Sequence, residues 1–181
     1  MRQKIHGTRL NSLRTARIFL LVLFVMSLLV GCKVYSFNGA NIPPEIKTVR
    51  VQFIENNARI KNSQLSPQLT DKLRQKIVSQ TKLTQINGDN ADYDISGAIT
   101  QYDISTSGIS NQQVSTNRLT VAVNLVLKNR KTPGAEDKNI SASRSFDFSA
   151  SLTLSQAERQ LNDEIIRNLT DEIFNKLFSD W

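Results

Sequence analysis

Cysteine, histidine and tryptophan each occur once in the 181 residues, and the lone His6 and Cys32 both fall within the first 32 positions. A single cysteine excludes an internal disulfide framework. A zinc or iron site built from Cys and His needs three or four such ligands, so metal chemistry by soft ligands is excluded too. Beyond Cys32 no histidine remains to act as the base of a Ser-His-Asp or Cys-His arrangement. The expectation is a protein without enzymatic chemistry and without a cofactor. What is present, 39% hydrophobic and 22% charged residues, describes an ordinary globular chain rather than a disordered or multi-span one.

The one long apolar run sits at the N-terminus. Residues 1–17 carry Arg2, Lys4, Arg9, Arg14 and Arg17 with no acid, and lead into an apolar stretch over 18–30. A basic segment followed by a short apolar one is the pattern of an export signal, and a membrane-crossing helix would need roughly 20 residues. Leu29-Val30-Gly31-Cys32 resembles the bacterial lipobox, which implies cleavage before Cys32, a diacylglycerol on its thiol and an acyl chain on the new amino terminus. The alternative is a plain signal peptide or a short anchor with an incidental cysteine. Several acyl chains hold a protein firmly on a bilayer without spanning it. Lys33 follows the cysteine where an Asp would mark inner-membrane retention. The expected location is therefore the outer membrane, on the inner leaflet facing the periplasm.

Cleavage changes the charge. The whole chain has 23 basic and 16 acidic residues, a net +7 and a pI near 9.8. Removing residues 1–31 takes away five cations and no anion, which leaves 18 against 16 and a net +2. The apparent basicity belongs to the leader, and nucleic acid is not an expected partner. The predicted organisation is a signal peptide over 1–31, a lipid anchor and tether over 32–46, and one domain over 47–181.

Within that domain, Lys47–Ile54 alternates, with Val49, Val51 and Phe53 on one face and Thr48, Arg50 and Gln52 on the other, a half-buried strand. Pro43-Pro44 blocks a helix just before it. Ser66-Pro67 reads as an N-cap and first-turn pair, and Leu65, Leu69, Leu73 and Ile77 recur every four residues, a helix ending near Thr81. Tyr93–Gln101 alternates again, as do Leu119, Val121, Val123, Leu125 and Leu127, and then Phe146, Phe148, Ala150 and Leu152. The last segment opens with a Ser155-x-x-Glu158 capping box and carries a stripe of Leu161, Ile165, Leu169 and Ile173. The order β-α-β-β-β-α predicts an α+β fold, a four-stranded mixed or antiparallel sheet with two helices on one face. Thr120, Asn124, Asp147 and Ser149, with Ala122 and Val126 between them, would line the other face, open to a partner or an amphiphilic ligand. Gly97 reads as a strand position that something approaches closely.

These residues carry a resemblance. The opening over 31–39, Ile42-Pro43-Pro44 with Lys47-Thr48-Val49, Gln80–Leu83, Gly97–Tyr102, Asn117–Val121, and the ending Glu172–Asn175 with Trp181 together resemble a divergent branch of the LptE family of lipopolysaccharide-assembly lipoproteins. The matches run in order along the whole mature chain. The resemblance implies a fold of two helices on a four-stranded sheet. It also implies a non-enzymatic role in the lumen of an LptD-type outer-membrane β-barrel, aiding delivery of lipopolysaccharide to the outer leaflet.

Contacts to lipopolysaccharide call for cations that meet phosphates. The candidates are Lys128, Arg130 and Lys131, with Lys138, between the third and fourth strands, and Arg118 opening the third strand. The same residues suit a hairpin tip that carries charge for solubility. Asp89, Asp92, Asp94 and Asp103 lack the calcium-loop spacing and read as a capped turn before a strand, and Glu158, Asp163, Glu164, Asp171 and Glu172 as a solvated helix face. Two other classes stay open: a lipoprotein subunit of another envelope lipid-transport machine of ABC-auxiliary type, and a tethered hydrolase using Asp or Glu.

Overall fold

The computed structural model describes residues 41–110 and 113–179. The leader, Cys32, Tyr35, Phe37, Gly39 and Trp181 lie outside the described residues. In chain order the elements are β1 (Thr48–Val51), β2 (Glu55–Asn56), α1 (Leu65–Gln80), β3 (Thr84–Gln85), β4 (Tyr93–Ser110), β5 (Gln113–Asn129), β6 (Lys138–Ser149) and α2 (Leu154–Phe178). The strands form one sheet in the order β3-β1-β4-β5-β6, with β2 also on β4. β1 is parallel to both β3 and β4, and β4-β5-β6 is an antiparallel meander.

The expected class stands, with two additions. β2 and β3 are two-residue strands, too short to leave an alternation that a sequence pattern detects. β4 and β5, in turn, run well past their apolar cores, to 18 and 17 residues. Their outer halves are Ser-, Thr- and Gln-rich because no helix layer covers them, so burial selects no alternation there.

Both helices bury one stripe on the same side of the sheet. Leu69, Leu73 and Ile77 of α1 and Leu169 and Ile173 of α2 are fully buried, against Val49, Ile95, Ile99, Leu119, Val121 and Val123 from the strands. Each such side chain contributes about 1.5–3 kcal/mol on leaving water. The helices run parallel: Gln68 meets Asn162 in their first halves, and Lys76 meets Asp171 in their second halves.

Four local readings need correction. The last strand is Lys138–Ser149, so it takes in Lys138 from the expected loop and ends before Ala150 and Leu152, which lie in the turn that leads to α2. Phe53 does not share the inward face with Val49 and Val51; it is 48% exposed, and Ile54 is buried instead. After Val51 the ladder gives way to side chains of α1, with Arg74 donating to the Val51 carbonyl at 2.7 Å and Thr70 Oγ1 accepting from the Ile54 N–H at 3.1 Å. The chain turns there and swaps faces. The α1 N-cap is Gln64, not Ser66, so Pro67 is the third helical residue, where its missing N–H would have had no helical partner anyway. The α2 capping box is Thr153 with Gln156 rather than Ser155 with Glu158, which frees Glu158 to accept from Tyr102 Oη at 2.9 Å.

The close approach at Gly97 is present. Its φ is +154°, and a Cβ there would lie 2.1 Å from the Asn124 carbonyl oxygen across the β4–β5 ladder. Two residues on, a bulge pairs Ile99 with Val123 but Gln101 with Ala122. The extra residue moves the inward face to Tyr102, which is fully buried.

Candidate functional site: the charge clamps and the open sheet face

Because Leu119 and Val121 face the helices, Arg118, Thr120, Ala122, Asn124 and Val126 of β5 face the other way, beside Ser141, Ser143, Ser145 and Asp147 of β6. No described element covers this face. Its centre is small and uncharged, rich in hydroxyls and amides, with Thr120 Oγ1 and Ser145 Oγ 2.9 Å apart across the strands.

Charge is confined to the two ends of β5. At one end Arg118 forms a two-pronged pair with Asp147, its cross-strand neighbour, at 2.7 and 2.9 Å. The pair holds the arginine above, and the aspartate below, their ordinary proton affinities. At the other end Lys128, Arg130 and Lys131 come together. Lys128 lies 3.7 Å from Asp137, Lys131 lies 3.5 Å from Asp92, and Arg130 pairs with Asp94. Ten residues of strand, about 33 Å at 3.3 Å each, separate Arg118 from Lys128. The structure brings three of the four candidate cations together and leaves the fourth at the far end; all four are engaged by carboxylates of the chain itself. Lys138 donates to the Leu177 carbonyl at 3.2 Å, so it ties the end of α2.

The sequence did not reveal the partner that organises this cluster. Asp94 is only 2% exposed. Its carboxylate accepts from Arg50 Nε at 2.9 Å, Arg50 Nη2 at 2.9 Å, Gln52 Nε2 at 3.0 Å and Arg130. Arg50 also pairs with Asp89. The Arg50 guanidinium above all, then Gln52 and Arg130, hold the Asp94 carboxyl far below the usual carboxylate range against the opposing effect of burial. Asp92 is held down to about 2, chiefly by the Lys47 N–H and then, against burial, by Thr48. The aspartates of the Asp89–Asp94 turn therefore fasten β1, β4 and the β5–β6 loop to one another. The residue types were visible; the parallel pairing of Arg50 with Asp94 was not, because no local pattern encodes which strand lies beside which.

On the helix layer, Tyr102 Oη is enclosed by Glu158, to which it donates, and by Asn62 Nδ2, which donates to it at 3.3 Å. Burial, with Glu158 beside it, pushes the phenol above its ordinary value. Glu172 meets Arg144 at 2.6 Å and Lys176 at 2.9 Å. The acids of α2 thus include two that fasten helix to sheet as well as the solvated ones expected. Among the described residues no three His, Cys, Asp or Glu side chains are grouped as metal ligands.

These features define a class: an α+β domain of two parallel helices on one side of a mixed sheet, its buried polar groups used to join strands, its other sheet face bare. Residues 46–177 match the model of the LptE lipopolysaccharide-assembly family, and the chain belongs to that family. It is a lipopolysaccharide-assembly protein of the envelope-lipoprotein kind, from a non-enzymatic family. Among solved structures it is similar to a protein from Xanthomonas campestris, with 14% identity over 75% of this chain and 86% of that one at a TM-score of 0.50, a likeness of fold. It is also similar to the rare lipoprotein B of Shewanella oneidensis, with 13% identity, 71% and 90% coverage and a TM-score of 0.47. A minor lipoprotein from Acinetobacter baumannii shows 16% identity, 72% and 91% coverage and a TM-score of 0.45. No curated protein is similar enough to match.

Proposed function

We propose that the mature chain, released from the leader over 1–31 and acylated on Cys32, sits on the periplasmic side of the outer membrane. There it occupies the lumen of an LptD-type β-barrel, aiding lipopolysaccharide transport to the outer leaflet. The observation that carries this reading is the family match over residues 46–177. The surface supports it: a wide barrel lumen is lined by polar side chains, and the open sheet face presents small hydroxyl and amide groups with its charges already paired. Arg118, Lys128, Arg130 and Lys131 are the candidate phosphate contacts, and each would have to exchange a carboxylate partner for the phosphate. The role proposed is structural.

The test is affinity purification of the full chain from detergent-solubilised outer membranes, followed by mass spectrometry of what co-elutes. One large β-barrel in about equal amount is the expected result. Inner-membrane transporter subunits, or nothing, would overturn the reading.

A further inference from the structure

A pocket of about 240 Å³ opens where the chain enters the domain, lined by Ile42, Pro43, Pro44 and Leu83 as apolar wall and by Lys47 and Lys82 as cations, with Gln80 and Thr81 closing it. It lies at the end of the molecule from which the tether leaves. The Asn41 N–H donates to the Phe178 carbonyl at 2.7 Å, the Lys47 carbonyl accepts from the Thr84 N–H at 2.9 Å, and α1 ends at Gln80. Asn41 lies nine positions after Cys32, a reach of at most about 30 Å.

The two lysines differ from the other cations at this end. Lys128, Arg130 and Lys131 are paired with Asp137, Asp94 and Asp92. Lys47 and Lys82 are exposed, and among the described residues neither side chain forms an ion pair. Lys47 gives its backbone N–H to Asp92 at 2.8 Å while its ammonium stays outside that clamp. Glu45 is exposed beside Pro44 but does not line the pocket. Val78, 49% exposed on the last turn of α1, adds apolar surface at the same end. One bland account of Lys82 is that it answers the negative end of α1; Lys47, on the neighbouring strand entry, has no such duty.

We infer that this anchor-proximal pocket is a membrane-contact site: Lys47 and Lys82 meet the headgroups of anionic phospholipids in the leaflet that carries the anchor, while Ile42, Pro43, Pro44 and Val78 settle at the headgroup boundary. The inference rests on the acylation of Cys32. A short tether keeps the pocket within reach of the bilayer, so contact costs little additional ordering. Two lysines near an anionic surface favour it by about fivefold each. The contact fixes which end of the domain faces the membrane, and so points the β4–β5 hairpin away from it.

The test uses the full chain, purified in detergent and reconstituted into vesicles of phosphatidylcholine alone or with phosphatidylglycerol. Gln80→Cys, exposed at the pocket, is labelled with a fluorophore, the vesicles carry a lipid-borne quencher, and Ile109→Cys, 71% exposed near the hairpin tip, is the control. Quenching at position 80 is expected in anionic vesicles only. The ratio of quenched to unquenched label should fall about fivefold in Lys47→Ala or Lys82→Ala and about thirtyfold in the double variant, with position 109 unquenched throughout. Equal quenching in both lipids, quenching that survives the double variant, or none at position 80 overturns the contact. Flotation scores the anchor separately. A chain that floats with neither vesicle overturns the acylation and the contact that rests on it, and one that floats with both but is never quenched keeps the acylation and overturns the contact.

Discussion

At Gly97 the backbone stands at φ +154°, and a methyl group in place of the glycine hydrogen would meet a carbonyl oxygen 2.1 Å away. Gly97→Ala is therefore expected to lose about 2–3 kcal/mol, read as a lower urea midpoint at unchanged slope, because both the conformation and the ladder must give. Asp94 is the other residue on which much depends. Asp94→Asn keeps the shape and leaves Arg50 and Arg130 facing a neutral group, an expected loss of about 3 kcal/mol by equilibrium denaturation. By contrast, the half-exposed Arg118–Asp147 pair, screened by solvent, contributes little to stability. A pH window follows from Asp92. Its folded carboxyl titrates near 2, against 3.8 unperturbed, so its stabilisation is complete above about pH 4 and is lost as pH falls through 2. Denaturation at pH 7, 4 and 2.5 should show that decline, and Asp92→Asn should flatten it.

Among the elements, each helix holds the sheet through one apolar stripe and begins differently. α2 has a full capping box at Thr153 and Gln156, while α1 has no side-chain cap. Thr153→Ala should then cost about 1 kcal/mol, and Leu73→Ala or Leu169→Ala, both fully buried, about 2–5 kcal/mol, measured by thermal and urea unfolding. The apolar periods made both helices legible, because 3.6-residue spacing is imposed by local geometry. Each cap lies two residues before the expected one because several Ser, Thr and Gln residues compete at each start, and the choice among them is made by what each side chain touches once packed. Phe53 departs from the expected inward face for a related reason: alternation continues in sequence past the point where α1 captures the backbone of the strand.

Considered whole, the molecule is a covered half and a bare half. The covered part of the sheet carries the stability; the outer β4–β5 hairpin carries little of it. Residues 104–117 contain no charged side chain, and Ser105, Thr106, Ser107 and Ser115 are exposed. Replacing residues 109–114 by a short Asn-Gly turn, which leaves the Ser115 carbonyl accepting from the Ala150 N–H and Thr116 paired with Ser149, should change the unfolding free energy by less than about 1 kcal/mol. In the proposed plug the same shortening should lower recovery of the barrel partner in the affinity purification, since the hairpin strands of 18 and 17 residues present polar surface to line a lumen.

The amino-acid order alone settled the fold class, the two helices, the inward faces of the long strands, the close approach at Gly97, and the family through its dispersed motifs. Each of these rests on local period or on residue identity, which chain geometry converts directly into a face or a turn. Tertiary structure alone decided that β1 lies parallel beside β4, that Arg50 and Arg130 converge on a buried Asp94, and that the loop cations are paired while, among the described residues, Lys47 and Lys82 form no ion pair. Those facts depend on which distant segments become neighbours, and the burial that selects neighbours acts on the assembled layers rather than on any stretch of sequence.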